Sequence, residues 1–149
     1  MTLDTVVVAV GDDDDARTAS VARTAIDVAG PAGATVRLVH VFSEDRYESV
    51  KRQLEFGPDD EVTPDAVAKR HATIREVGSL LAEAGVDYAW HGAVGETSEQ
   101  VLAFAEEFDA DMLIVGGRGR SAAGKAVFGS TAQKILSNAP CPVTYVRQP

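Results

Sequence analysis

Cysteine occurs once in the 149 residues, as Cys141, so neither an internal disulfide nor a cysteine-built metal cluster can form. Flanked by Pro140 and Pro142, with no CxxC partner and no nearby base, it is expected to be an inert buried thiol. Lysine is also scarce. Only four of the 14 basic residues are lysines, against 23 aspartates and glutamates, and the net charge is −9. Nucleic acid is therefore a poor partner on electrostatic grounds, and none is expected. No apolar run approaches a membrane span, and the opening MTLDTVVVAVGDDDD has neither a basic region nor a cleavage signal. A soluble, cytoplasmic chain without a membrane partner is the expectation. The three histidines, His40, His71 and His91, share no ligand spacing, which gives a metal site little support. Structural or exposed roles are expected for them, with His40 on a strand, His71 within a helix and His91 near a turn. Neither a GxSxG elbow nor a GxxxxGKS loop occurs, and Gly124-Lys125 lacks the hydroxyl residue of a P-loop. No catalytic residue is assigned.

What is present is ordinary globular material, 45% hydrophobic and 25% charged. The length suits a single domain, residues 1–149, with a real core. An acidic, lysine-poor surface stays hydrated in a cytoplasm of very high salt, where screening blunts its self-repulsion. A halophilic source and an ordinary acidic cytosolic protein both accommodate this composition.

Along the chain, residues 5–10 form an uninterrupted apolar run, a strand buried on both faces. Four aspartates, Asp12 to Asp15, follow Gly11. Residues 16–29 place Ala22, Ala25, Ile26 and Ala29 at helical spacing, and Gly30-Pro31-Ala32-Gly33 ends that helix. Residues 35–42, TVRLVHVF, make the second strand. The charged stretch 43–62 is expected to be an exposed, partly helical excursion with a turn at Gly57-Pro58-Asp59-Asp60. Thr63-Pro64-Asp65 starts one long helix that Gly85 closes. Residues 86–91 form the third strand, and 92–95 a turn. Thr97-Ser98-Glu99-Gln100 has the form of a capping box, and Val101, Leu102, Ala105 and Phe108 line that helix. A final helix, 130–138, precedes a last strand, 143–147. Five strands alternating with four main helices predict βαβ units and a mostly parallel sheet covered on both sides.

Residues 111–131, DMLIVGGRGRSAAGKAVFGST, organise the rest. A short branched run, Met112 to Val115, gives way to Gly116, Gly117 and Gly119, and Gly129-Ser130-Thr131 opens a helix with a hydroxyl cap. Strand, glycine-rich loop and helix N-terminus are a design for holding phosphate. Glycines allow close backbone approach, and free amides with the helix dipole favour negative charge. Arg118, Arg120 and Lys125 reverse the sign of an acidic chain in this loop.

The spacing Gly116-x2-Gly119-x9-Gly129-Ser130 resembles the nucleotide-binding pattern of the universal stress protein family. VVVAV, LVHVF, DMLIVGGRGRS and APCPVTYVR extend that resemblance over most of the chain. It implies an open, parallel five-stranded sheet in the order 3-2-1-4-5 with helices on both faces, Rossmann-like and similar to the adenine nucleotide alpha hydrolases. The ligand implied is an adenine nucleotide, ATP, with or without Mg2+. Carried over, Gly116, Gly119, Gly129, Ser130 and Thr131 hold the phosphates, with Val115 and Arg118 nearby. Ala9, Val10 and Val41 hold the base and ribose. The sequence departs from the family where an Asp is expected after the first strand. Gly11 stands there and Asp12 comes one residue late; Asp12 could substitute, or affinity could be lower. Asp12 to Asp15 also match a helix start stabilised by negative charge. A receiver-type Mg2+ site is disfavoured, because the third strand ends in His91-Gly92 rather than Asp and the fifth in Arg147-Gln148-Pro149 without Lys.

The resemblance implies a ligand-gated regulator or stress-survival factor, with slow ATP hydrolysis conceivable but no evident catalytic base. It further implies a homodimer through the last strand. The alternative is a dimeric interaction module that binds an unidentified protein partner, its nucleotide pocket weak or empty. If the charge is an adaptation to salt, thermal stability rises from low to molar KCl as like charges are screened. A melting temperature that stays flat or falls over that range rejects the halophilic reading.

Overall fold

The computed structural model of the chain describes residues 2–11, 15–117, 119–120, 126–127 and 129–147. In chain order its elements are β1 (Thr5–Ala9), α1 (Asp15–Ala32), β2 (Thr35–Phe42), α2 (Glu44–Gln53), α3 (Pro64–Arg70) and α4 (Ala72–Glu83). β3 (Tyr88–Val94), α5 (Thr97–Glu107), β4 (Met112–Gly117), β5 (Gly119–Arg120), β6 (Ala126–Val127), α6 (Ser130–Asn138) and β7 (Val143–Arg147) follow. Five strands form one sheet in the order β3-β2-β1-β4-β7, every pairing parallel. This is the expected 3-2-1-4-5 arrangement. β5 and β6 make a separate antiparallel pair.

Strand periodicity sends alternate side chains to opposite faces, and both faces are covered. Val6, Val8, Leu38 and Ile114 pack with Ala22, Ala25 and Ala29 of α1 and Ile74, Val77 and Leu81 of α4. Val7, Val39, Leu113 and Val115 pack with Val101 of α5 and Ile135 of α6. The alanine stripe of α1 is wholly buried, and small side chains there let the helix lie close to the sheet. A third, smaller core joins Phe42, Val50, Val67 and Ala68, so the charged excursion is anchored by apolar residues of its own.

Several boundaries differ from those expected. α1 continues through Gly30 and Pro31 and closes at Gly33, whose φ of 66° lets the Ala34 N–H reach the Ala29 carbonyl at 3.0 Å. The single helix expected after Thr63 is two. Thr63 does cap α3, its hydroxyl accepting the Ala66 N–H at 3.1 Å, but His71 adopts extended backbone and separates α3 from α4. The cap of α5 is Glu96 rather than Thr97. The Ser98 hydroxyl, then the Glu99 and Ser98 amides, donate to its carboxylate, which holds its pKa below the usual carboxylate range.

β3 runs through Gly92 to Val94 instead of turning after His91. The cause is α3, which docks on this sheet edge: the Gly92 N–H donates to Asp65 Oδ1 at 2.7 Å. The Pro64 carbonyl sits where a Gly92 Cβ would stand. Because the obstacle is backbone, Gly92→Ala must displace α3 and is expected to destabilise the fold by about 1–3 kcal/mol. Urea unfolding measures this; an unchanged midpoint refutes the close contact.

Candidate functional site

Strand order reverses between β1 and β4, and in an open parallel sheet that point leaves a crevice beyond the carboxyl ends of the strands. Ala9 ends β1, with buried Val10 and exposed Gly11 beyond it. Val41 lies near the end of β2, and Val115 and Gly116 near the end of β4. The topology thus gathers Ala9, Val10, Val41, Val115 and Gly116 at one end of three adjacent strands. Because α6 connects β4 to the parallel strand β7, its N-terminus, with Gly129, Ser130 and Thr131, is on that same end. Asp12 and Arg118 lie outside the described residues. Gly119 belongs to β5 and pairs with Val127, so a short hairpin stands where a continuous loop was expected.

The start of α6 differs from the expected hydroxyl cap. Gly129 is the N-cap, with φ −64° and ψ 166°, and Ser130 is already helical; no side chain caps this end. The first helical bond runs from the Gln133 N–H to the Gly129 carbonyl at 3.0 Å. α2, α3 and α5 each have a side-chain cap and an acid in the first turn, whereas α6 has neither. A Cβ placed on Gly129 would meet nothing within 4 Å. Among the described residues, then, no side-chain cap and no acid of its own first turn meets the orphan amides of this helix start.

A polar cluster that sequence reasoning missed lies under the opposite wall. His40 Nδ1 is 2.7 Å from the Val10 carbonyl, and because a carbonyl only accepts, the ring nitrogen carries the proton. The Thr73 hydroxyl donates to the Gly11 carbonyl at 2.8 Å and contacts His71 Nδ1, also at 2.8 Å. The His40 and His71 rings stack with centroids 4.2 Å apart. The trace in the sequence was His40, set among the apolar residues of LVHVF. His71, expected within a helix, is instead the residue that breaks one. Among the described residues, no group of three or more His, Cys, Asp or Glu is placed to hold a metal ion.

His91 stands apart from the crevice, between Arg37 and the ring of Phe108. An Arg37 guanidinium N–H reaches His91 Nε2 at 3.3 Å, and the guanidinium lies over Phe108, 4.4 Å from the ring centre. Burial, then the Arg37 charge, lowers the His91 pKa. Cys141 is partly exposed rather than buried, and burial with the Asp111 charge pushes its thiol up. No helix among the described residues is long and apolar enough to cross a membrane.

Together, the reversed strand order and the helix cover on both faces define an open α/β protein with its switch point between β1 and β4. The chain belongs to the universal stress protein family, whose model matches residues 2–147. It is similar to a universal stress protein of Mycolicibacterium smegmatis, 33% identical over 84 residues that cover 56% of this chain and 65% of that protein. A Methanocaldococcus jannaschii universal stress protein is 29% identical over 76 residues, 51% of this chain and 45% of that one. The chain thus spans less than two thirds of the curated relatives it matches. Among solved structures, a universal stress protein from Archaeoglobus fulgidus superimposes with a TM-score of 0.70 at 28% identity, over 96% of this chain and 98% of that one. One from the same organism in complex with dAMP gives 0.66 at 25% identity, over 98% and 99%.

The pairing of His91 with Arg37 has a consequence for pH. Neutral His91 accepts the Arg37 N–H; protonation removes that acceptor and sets two cations side by side. With the folded pKa below the ordinary 6.5, the unfolded chain takes up the proton first as pH falls. Stability is thus complete above 6.5 and declines from there down to the folded pKa. Melting temperature followed from about pH 8 to about pH 5 should show this decline. His91→Gln, which can accept the same N–H without titrating, should make it shallower. An equal decline in both proteins assigns the pH dependence to other groups.

Proposed function

We propose that the crevice binds an adenine nucleotide, ATP in the first instance, with or without Mg2+. The observation that carries this reading is the uncapped N-terminus of α6 at Gly129, in open space and without first-turn acids, opposite the ends of β1 and β2. The dAMP complex of the Archaeoglobus relative supports it. Phosphate would be held by the amides and hydroxyls of Gly129, Ser130 and Thr131 with the backbone of Gly116 and Gly119, near Val115 and Arg118. The base and ribose would lie toward Ala9, Val10 and Val41, with Asp12 as the available carboxylate. The chain would act as one domain, residues 1–149, in the cytoplasm, a ligand-gated regulator or stress-survival factor in which any hydrolysis of ATP is slow.

Gly11 in place of an aspartate favours the second reading, an interaction module with a weak or empty pocket and an unidentified protein partner. In either case a homodimer through β7 is proposed. β7 ends the sheet, and its outer backbone groups offer an isologous contact to a second copy. Light scattering should give twice the 15.7 kDa chain mass. A folded monomer at all concentrations removes this assembly.

Nucleotide titration tests the pocket. Gly129→Val should fold with little loss, since φ is −64° and space is open. It should bind ATP at least about a hundredfold more weakly, by losing two or three charge-assisted contacts of roughly 1.5–3 kcal/mol each. Ser130→Ala removes one hydroxyl and should be milder. Equal ATP affinity in wild type and both variants, each folded by circular dichroism, shows that the helix start is not the phosphate site.

A further inference from the structure

The β1–β2 ladder stops one rung early. Odd-numbered residues of β2 direct their backbone toward β1: the Thr35 N–H donates to the Asp4 carbonyl, and the Val39 carbonyl accepts the Val10 N–H, both at 2.9 Å. Carried up the strand, the offset that pairs Thr35 with Asp4 assigns the Val10 carbonyl to the Val41 N–H. That bond is not made. The register with β1 ends at Ala9 and Val39, and among the described residues no backbone bond joins Val41 to β1 or to Val10 beyond it. The Val10 carbonyl instead accepts from His40 Nδ1 at 2.7 Å. His40 is 2% exposed, stacked on His71 and edge-on to Phe42 at 4.5 Å, so its ring has little room to turn away. One residue on, Thr73 holds the Gly11 carbonyl from α4.

We propose that His40 is a positioning residue of the crevice: by taking the Val10 carbonyl it stops the ladder and leaves the Val41 N–H available to a ligand. A backbone donor at the end of a ladder requires a partner from water or ligand. Resting on the adenine-nucleotide reading above, the inference extends to selectivity. A fixed N–H donor matches adenine, whose ring N1 is an acceptor, and opposes guanine, whose N1 carries hydrogen. Mismatched donors facing each other leave both unpaired, which penalises the wrong base.

The test begins without nucleotide, by residue-resolved amide exchange. In the wild type the Val41 N–H should exchange at least about tenfold faster than that of Val39, which lies within the paired register. His40→Leu removes the donor, so the Val10 carbonyl becomes available to Val41, whose exchange should slow about tenfold. His40→Asn places an amide donor at a reach similar to that of Nδ1 and should keep Val41 fast. The ratio of ATP to GTP affinity should fall toward unity in His40→Leu and be restored in His40→Asn. Inorganic triphosphate should bind all three alike. A protected Val41 amide in the nucleotide-free wild type overturns the proposal, as does unchanged exchange in folded His40→Leu. Should His40→Leu fail to fold, the wild-type and His40→Asn exchange rates decide. If exchange behaves as expected but no adenine nucleotide protects Val41, the positioning role stands and the adenine reading fails.

Discussion

Parallel pairing of β1 with a neighbour on each side is the constraint on which the rest depends. Val6, Val7 and Val8 have no exposed surface, and a strand buried on both faces must be covered by helices above and below. The connections that return the chain to parallel strands supply those helices: α1 and α4 on one face, α5 and α6 on the other. Because β2 lies on one side of β1 and β4 on the other, the connections leave in opposite directions, and the gap between them is the crevice. The switch point therefore follows from the placing of a buried strand between two parallel neighbours, before any polar residue is considered.

Much of this was legible because it rests on short-range pattern. Branched runs at residues 5–9 and 112–115 had no helical period, and the α1 alanines had one. What escaped the sequence was set by partners distant in the chain. Gly92 resembled a turn residue until α3 proved to pack against it, and no local pattern encodes the approach of the Pro64 carbonyl. Likewise, the single helix expected after Thr63 breaks at His71, whose imidazole accepts the Thr73 N–H at 3.3 Å and takes the place of a helical turn.

The phosphate side of the candidate site was more legible than the base side. Glycine spacing and a helix start are local signals; the structure makes Gly129, rather than a hydroxyl residue, the cap and sets Gly119 in a short strand pair, and Arg118 lies outside the described residues. The base side depends on where strand pairing ends. That boundary is set by a side chain from β2 bonding to the backbone beyond β1, a contact across 30 residues for which the apolar pattern of LVHVF gives no direction.

The two edges of the sheet are unequal. At β3 the outer backbone is occupied: α3 lies against it, with Asp65 accepting from Gly92 and a proline carbonyl filling the space above the glycine. At β7, among the described residues, no further strand pairs with the outer side. A sheet that can be extended from both ends can polymerise without limit, as in fibrils. This one has a single adhesive end. Two copies joining there would bury that end, so association would stop at the pair, and a helix less than two turns long, α3, would be what closes the other edge to growth.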